Sequence, residues 1–223
     1  MILSMSSDNI TSYISQQLNY IFPDTNKVKN TDLSDSVKIA LERVEHCFSR
    51  VSNARYNNGS APIYNHLYSD HNIVFYWLLS NTIWKKTNNE TLASKLYYLN
   101  KVMHGFDCMY DTKLPDIFLV FHGVGTMLGK ATYSDYLVVL QGCTVGSNNG
   151  KYPVIGKGFS LTANSSIIGD CKIGDLCTIS TGTLVFEKNM NDSEVAFISN
   201  KTGLVEIRHS KESYSKQFFK DYL

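Results

Sequence analysis

The stretch that decides the fold is residues 155–185, IGKGFSLTANSSIIGDCKIGDLCTISTGTLV. Large aliphatic residues recur in it at every sixth position: Ile155, Leu161, Ile167, Ile173, Ile179 and Val185. A small residue stands two positions before each of the last four, and these are Ser165, Cys171, Cys177 and Thr183. Neither the period of a helix nor the alternation of a strand produces this spacing. It is typical of a parallel β-helix, in which three hexads make one triangular coil and each aliphatic residue points inward.

The same frame extends upstream, where it first meets a loop. Ten residues separate Val145 from Ile155, so the run GSNNGKYPV (146–154) predicts a loop that leaves the coil. We call it the excursion loop. Further back, His122 stands six residues before Leu128, inside the apolar segment PDIFLVFHGVGTMLGK at 115–130. This segment is therefore predicted to begin the β-helix. Cys171 and Cys177 take equivalent positions on neighbouring faces, which predicts small core residues and not a redox pair.

The first hundred residues follow a helical period instead. From Ser34, with Ser34 or Asp35 as the N-cap, apolar residues step by three and four along one face to Val51. Two further helices are predicted at about 71–86 and 90–104, the last ending at Gly105. The predicted fold class is α+β. Its domains are a helical N-terminal domain (1–105), a β-helix domain (106–199) and a C-terminal tail (200–223).

Composition excludes several classes of function. The chain has 223 residues, 43% hydrophobic and 18% charged, with a formal net charge of +1, which gives no indication of a nucleic-acid partner. No apolar run is long enough for a transmembrane helix, and the N-terminus does not resemble a secretory signal. The five cysteines are odd in number and form no CxxC pair, which favours reduced thiols in a cytoplasmic protein.

Over about residues 67–186, and most clearly from residue 107 onward, the chain resembles the serine O-acetyltransferases among the hexapeptide-repeat acyltransferases. The matching features are Asp107, His122 fifteen residues later, GVGTMLG, VVLQGCTVG, the excursion loop and KYPVIGKG. The resemblance implies a left-handed parallel β-helix, a homotrimer or a dimer of trimers with active sites between neighbours, and acetyl-CoA as acyl donor. It also implies that His122 is the catalytic base and Asp107 its acidic partner.

The resemblance further assigns contacts with CoA. Gly146, Ala163 and Thr181 match places where the coil backbone lies against the CoA chain, and Lys201 is a candidate for a CoA phosphate, although its basic run is more typical of a solvated surface. The chemistry fits these residue types. A positioned imidazole can accept the proton of a hydroxyl as it attacks a thioester, and a carboxylate on the other ring nitrogen stabilises the imidazolium.

Residues that recognise the amino acid differ from the family. Where the family has an acid directly before the histidine, this chain has Phe121, and where the family has an Arg-His pair at the end of the excursion loop, it has Lys151 and Tyr152. Asp70 is the candidate match for an aspartate of the family's helical domain. Lys151 can meet a carboxylate only as a point charge, and the aromatics suit the apolar face of a sugar ring. These substitutions predict a sugar or surface-polysaccharide precursor as acceptor.

Alternatives remain at this stage. His122 could be a core histidine, and Asp111 or Asp116 could take the role of Asp107. A metal centre of converging histidines is not expected, because only His122 lies in the coils. Two other functions stay open: a serine O-acetyltransferase of cysteine biosynthesis, and a non-catalytic β-helix used for assembly.

Overall fold

A computed structural model describes residues 1–220, so the last three residues of the predicted tail (221–223) lie outside the described residues. The chain divides into two compact units. One comprises residues 1–105 and 109–111, and the other comprises residues 106–108 and the chain from Thr112 onward. Among the described residues, no helix has the length and hydropathy needed to cross a membrane.

Four helices build the first unit. They are α1 (Ser7–Ile21), α2 (Asn30–Ser49), α3 (Ser69–Thr87) and α4 (Glu90–His104), and a short parallel pair, β1 (Ile2–Leu3) with β2 (Ile63–Tyr64), accompanies them. The prediction for α4 is confirmed to the residue, with Gly105 in the left-handed conformation at its end. α3 extends slightly beyond both predicted ends, and α1 was not predicted as a separate helix.

The start of α2 differs from the prediction. The helix begins at Asn30, and Ser34 and Asp35 lie inside it and do not cap it. The reason is a side-chain cap, since the Asp32 carboxylate accepts a hydrogen bond of 2.9 Å from the backbone N–H of Lys29. A carboxylate in the first turn also interacts favourably with the helix dipole.

The second unit is a parallel β-solenoid of about four coils, as the hexads predict. Its first face consists of β3 (Phe118–Val120), β5 (Leu137–Val139), β8 (Ser160–Leu161), β11 (Thr178–Ile179) and β13 (Glu194–Ile198), with β14 (Val205–His209) added antiparallel. The second face consists of β4 (Met127–Leu128), β6 (Thr144–Gly146), β9 (Ser166–Ile168) and β12 (Leu184–Phe186), and the third of β7 (Val154–Ile155) and β10 (Lys172–Ile173).

Strand register confirms the hexapeptide frame. Leu161 pairs with Ile179, Ile167 with Val185 and Ile155 with Ile173, so residues one coil apart stack in each pair. All six of these aliphatic side chains are buried, and so are the small residues that precede them. The fold is the left-handed β-helix expected from the resemblance.

The C-terminal part does not trail away from the solenoid. The β13–β14 hairpin joins residues on both sides of position 199, the predicted domain boundary. Residues 210–220, which we call the C-terminal strap, then turn back along the first face and contain a 3-10 helix, Tyr214–Phe218. Ser215 is fully buried, and its hydroxyl donates to the carbonyl oxygen of Gly158 at 2.7 Å.

Two histidines are buried in the helical unit. His71 at the start of α3 is surrounded by aromatic rings, and His104 contacts the Asn100 amide oxygen through Nδ1 at 2.8 Å. His104 is buried although it is the last residue of α4. Burial lowers the pKa of each imidazole from 6.5 to about 4. Between these two pH values each imidazole is neutral in the folded protein, whereas in the unfolded chain it is protonated.

We expect the helical unit to lose stability as the pH falls from about 6.5 to about 4. The unfolded state binds more protons in this window, and the loss is at most roughly 3 kcal/mol per histidine. Urea unfolding followed by tryptophan fluorescence measures it, because both tryptophans, Trp77 and Trp84, lie in α3. The variant His104→Gln should flatten the pH dependence, whereas His46→Gln, at an exposed position of α2, should not. An unchanged slope in His104→Gln would contradict the assignment.

Candidate active site

His122 lies directly after β3, in the turn between the first and second faces, and is exposed. We call the stack of turns at this edge, residues 121–126, 140–143, 162–165 and 180–183, the His122 corner. Although His122 stands six residues before Leu128, it does not occupy the inward column, because Val120 fills that position by pairing with Val139. The glycine-rich turn adds residues between the first two strands and so breaks the hexad spacing.

The backbone at His122 departs from the repeat. Its φ is +52°, in the left-handed region. Gly125, in the same turn, is also left-handed, whereas the next three turns of this corner have one left-handed residue each: Gly142, Asn164 and Gly182. For a residue other than glycine this conformation costs about 1–2 kcal/mol. Such strain persists only where the surrounding structure fixes it, and it often marks functional sites.

A buried hydroxyl fixes this turn to the next coil. Thr126 is fully buried, and its Oγ1 donates to the carbonyl oxygen of Leu140 at 2.7 Å. Within the turn, the N–H of Val124 donates to the carbonyl oxygen of His122 at 2.6 Å, and the N–H of Thr126 donates to that of Gly123 at 3.1 Å. Thr126 was missed from the sequence, although it stands two residues before Leu128, the position of the small residues in the hexads.

Asp107 pairs with the end of the same turn. Its N–H donates to the carbonyl oxygen of Thr126 at 2.9 Å, and its own carbonyl oxygen accepts from the N–H of Leu128 at 2.8 Å. Asp107 is therefore an extra rung beside Met127, next to the His122 turn. Asp116, one of the alternatives, precedes β3 and so lies at the other end of that strand.

The two predicted CoA contacts Ala163 and Thr181 lie in the His122 corner. Its turns stack through backbone hydrogen bonds: Gly142 N–H to Val124 O at 3.0 Å, Asn164 N–H to Gln141 O at 2.9 Å and Gly182 N–H to Ala163 O at 3.0 Å. A groove of about 730 Å³ opens between this corner and the C-terminal strap. Hydroxyl groups dominate its lining: Thr162, Thr178, Ser180, Thr181, Ser210, Ser213 and Tyr214.

The remaining predicted loop residues lie at a different edge. Gly146 ends β6, and Lys151 and Tyr152 belong to the excursion loop between the second and third faces, so one chain does not bring them to the His122 corner. The Lys151 ammonium forms an exposed ion pair with Asp170 at 3.2 Å. Lys201 is exposed in the turn of the β13–β14 hairpin.

Two predicted acceptor contacts are buried. Phe121 is only 8% exposed, and its ring centroid lies 4.8 Å from that of Phe218 in the C-terminal strap. The predicted stacking surface for a sugar is therefore covered on this side by the chain itself. Asp70 lies in the first turn of α3, in the helical unit, and is 2% exposed.

Cys171 and Cys177 are core residues, as predicted, and Cys143 is a third one. Cys143, Cys171 and Cys177 are buried, and burial raises the pKa of each thiol, for Cys177 to about 11. Thiols in this state are poor nucleophiles and poor metal ligands. Among residues 1–220, no three His, Cys, Asp or Glu side chains are grouped as a metal site.

No protein-family model matches the chain. Two curated relatives do. Serine acetyltransferase 4 of Arabidopsis thaliana is 28% identical over 123 residues, which cover 53% of this chain and 34% of that protein. A serine acetyltransferase of Synechococcus elongatus is 25% identical over 111 residues, covering 48% of this chain and 46% of that protein. The match thus spans less than half the length of each relative.

Solved structures give the same family name. The serine acetyltransferase of Neisseria gonorrhoeae aligns with a TM-score of 0.68 at 16% identity, covering 96% of this chain and 83% of that chain. The chain is similar to serine acetyltransferases in sequence and in fold. Two further serine acetyltransferase structures, one in complex with CoA and one from Neisseria gonorrhoeae in complex with serine, each align with a TM-score of 0.65, at 15% and 19% identity. They cover 92% and 88% of this chain, and 85% and 83% of the respective solved chains.

We expect Thr126→Val to destabilise the solenoid. The isosteric change removes a buried donor to the Leu140 carbonyl oxygen, at a cost of about 1–3 kcal/mol. Thermal unfolding should show a lower melting temperature than the wild type. Thr202→Val, which removes an exposed hydroxyl from the β13–β14 turn, should leave the melting temperature within about a degree. Equal melting temperatures for Thr126→Val and the wild type would show that this bond does not fix the turn.

Proposed function

We propose that this protein is a CoA-dependent O-acetyltransferase that transfers an acetyl group from acetyl-CoA to the hydroxyl of serine. The observation that carries the proposal is His122, which is exposed by a left-handed backbone at the head of a corner that continues through Ala163 and Thr181. Sequence similarity to serine acetyltransferases extends over about half of this chain. It supports serine over the sugar acceptor predicted from Phe121, Lys151 and Tyr152.

His122 acts as the general base. One ring nitrogen accepts the hydroxyl proton as the serine oxygen attacks the thioester carbon, which forms a tetrahedral intermediate. The intermediate expels the CoA sulfur, and the imidazolium returns the proton to it, so the products are an O-acetylated serine and CoA. Exposure of the imidazole at the corner leaves it open to both substrates.

Two other groups assist this step. Asp107 accepts a hydrogen bond from the second ring nitrogen of His122, which orients the ring and stabilises its charged form. The intermediate's oxyanion needs preorganised donors. The N–H groups of Val124 and Thr126 already donate to carbonyl oxygens within the turn. Gly125, which is exposed in the same turn, supplies an N–H group for the oxyanion, whereas Gly123 is buried.

Acetyl-CoA occupies the groove along the His122 corner. Its volume of about 730 Å³ suits an extended small-molecule ligand, and its hydroxyl-rich lining suits the amides of a pantetheine chain. Thr181 lines this groove. Ala163 and His122 lie outside its lining, further along the same corner, so the chain runs from the groove past Ala163 and brings the thioester towards His122. Gly146 and Lys201 stand at other edges of the solenoid, and their contacts with CoA require a neighbouring subunit.

The assembly that supplies this neighbour is a homotrimer, alone or paired as a dimer of trimers. Lys151 and Tyr152 lie one face away from His122. An acceptor that contacts these two residues as well as His122 therefore needs two copies of the chain. The second face presents apolar side chains to solvent: Met127 is 49% exposed, Leu184 48% and Phe186 46%. Packing two solenoids along this face would bury that surface.

We expect His122→Asn to abolish acetyl transfer. Asparagine tolerates the left-handed conformation, so the backbone should persist while the base is lost, and kcat should fall on the order of 10²- to 10⁴-fold. Release of CoA, measured with a thiol reagent and acetyl-CoA plus L-serine, gives the rate. His209→Asn, at an exposed position of β14, is the matched control and should keep wild-type turnover.

The acceptor is decided in the same assay. Serine-dependent release supports the proposal. Release with a nucleotide sugar but not with serine would replace serine by a sugar, the acceptor that Phe121 favours. Unchanged turnover in His122→Asn would contradict the base assignment. If neither acetyl-CoA nor CoA raised the melting temperature, the non-catalytic β-helix would be favoured instead.

We expect the protein in solution to have a mass of three or six chains of 25.2 kDa. Light scattering coupled to size-exclusion chromatography measures this mass. Leu184→Asp should reduce it, because a charge would then be buried in the contact between second faces. Lys188→Asp, at an exposed position beyond the end of that face, should not. A monomeric wild type would contradict the shared site.

A further inference from the structure

The C-terminal strap reaches the residue that precedes the proposed base. Hydrogen bonds and ring packing fix the strap to the solenoid. The hydroxyls of Ser213 and Ser215 both donate to the carbonyl oxygen of Gly158, at 3.1 and 2.7 Å, and the Tyr214 N–H donates to Thr178 Oγ1 at 3.3 Å. The Phe219 ring, 4% exposed, packs edge-on against Tyr136 at 5.1 Å between centroids.

This anchoring delivers Phe218 onto Phe121. The two rings lie 4.8 Å apart with an angle of 36° between their planes, within the range of favourable aromatic pairs. Phe121 is also held by its backbone, since its N–H donates to the carbonyl oxygen of Val139 at 2.9 Å. Both the main chain and the side chain of Phe121 are thus restrained immediately before the left-handed residue His122.

A restraint at this place has a physical role. The left-handed φ of His122 is unfavourable and needs support on both sides. On the C-terminal side, Val124 N–H donates to the His122 carbonyl oxygen, and Thr126 ties the turn to the next coil. On the N-terminal side, the ladder bond of Phe121 and the packing of Phe218 provide the support.

We propose that Phe218 is a positioning residue that acts through Phe121 to hold the His122 turn in its left-handed form. The proposal rests on His122 being the base, as set out above. It also gives a role to Phe121, which stands where the family has an acid. The residue before the base serves the strap rather than the acceptor, so its ring completes a support that begins about ninety residues further along the chain.

Amide hydrogen exchange tests the proposal without reference to activity. In Phe218→Ala we expect the amide of Val124, which is bonded to His122, to exchange at least tenfold faster than in the wild type. The Thr162 amide, bonded to Ile179 O in the middle of the solenoid at 3.0 Å, should keep its protection within about twofold. A merely structural loss would accelerate both amides together. Equal protection of Val124 in the variant and the wild type, or equal loss at both amides, would overturn the proposal.

Kinetics provide the second readout. Misplacement of a base by about 1 Å can cost on the order of 100-fold in rate, so kcat of Phe218→Ala should fall tenfold or more while KM for acetyl-CoA stays within about threefold. Phe218→Tyr keeps the ring and should restore both kcat and Val124 protection. Phe197→Ala, an aromatic deletion on β13 whose ring packs against the Arg208 guanidinium, should retain wild-type kcat.

The two proposals fail in different ways. If Phe218→Ala accelerates exchange at Val124 while the wild type transfers no acetyl group, the proposed function fails and the support of the turn stands. If the wild type is active and Phe218→Ala keeps both kcat and Val124 protection, the positioning role fails alone. Should Phe218→Ala not fold, Phe218→Leu, which retains an apolar contact of smaller area, replaces it, with the same outcomes on a smaller scale.

Discussion

The parallel ladder between coils is the constraint on which the rest of the solenoid depends. Each residue of a face pairs with the residue one coil away, so equivalent positions stack in columns. A column of aliphatic residues fills the interior, and a column of turns makes each corner. Because of this register, residues distant in sequence, such as Val124, Ala163 and Thr181, lie along one edge. The candidate active site is a property of that edge.

The candidate site lies where the repeat is broken. Regular turns in the His122 corner need one left-handed residue, supplied by glycine or asparagine. The first turn has an additional one, at His122, and it directs an ionisable side chain outward from a position that the hexad count would bury. The turn is held by a buried threonine hydroxyl, by hydrogen bonds of its own and, through Phe121, by the C-terminal strap. The excursion loop is a second break in the repeat, at the opposite edge of the second face.

Much of this fold could be predicted from the sequence because its determinants are local and periodic. The inward column from Ile155 to Val185, the loop after Val145 and the helix ending at Gly105 are each encoded within a few residues. Other features depend on contacts that no short window contains. The earlier start of α2 depends on Asp32 as a capping side chain, and the burial of His104 depends on the packing of its helix. The contact between Phe121 and Phe218 joins residues almost one hundred positions apart and carries no periodic signal.

For the site, the resemblance predicts His122 and Asp107. The structure adds the turn that exposes His122 and that pairs at its end with the backbone of Asp107. An experimental structure of the protein with bound CoA tests the central claim most directly. We expect the CoA sulfur within about 4 Å of the His122 imidazole, with the pantetheine chain along Ala163 and Thr181, because a base must lie within hydrogen-bond reach of the reacting groups. CoA bound along a different edge, with its sulfur remote from His122, would contradict it.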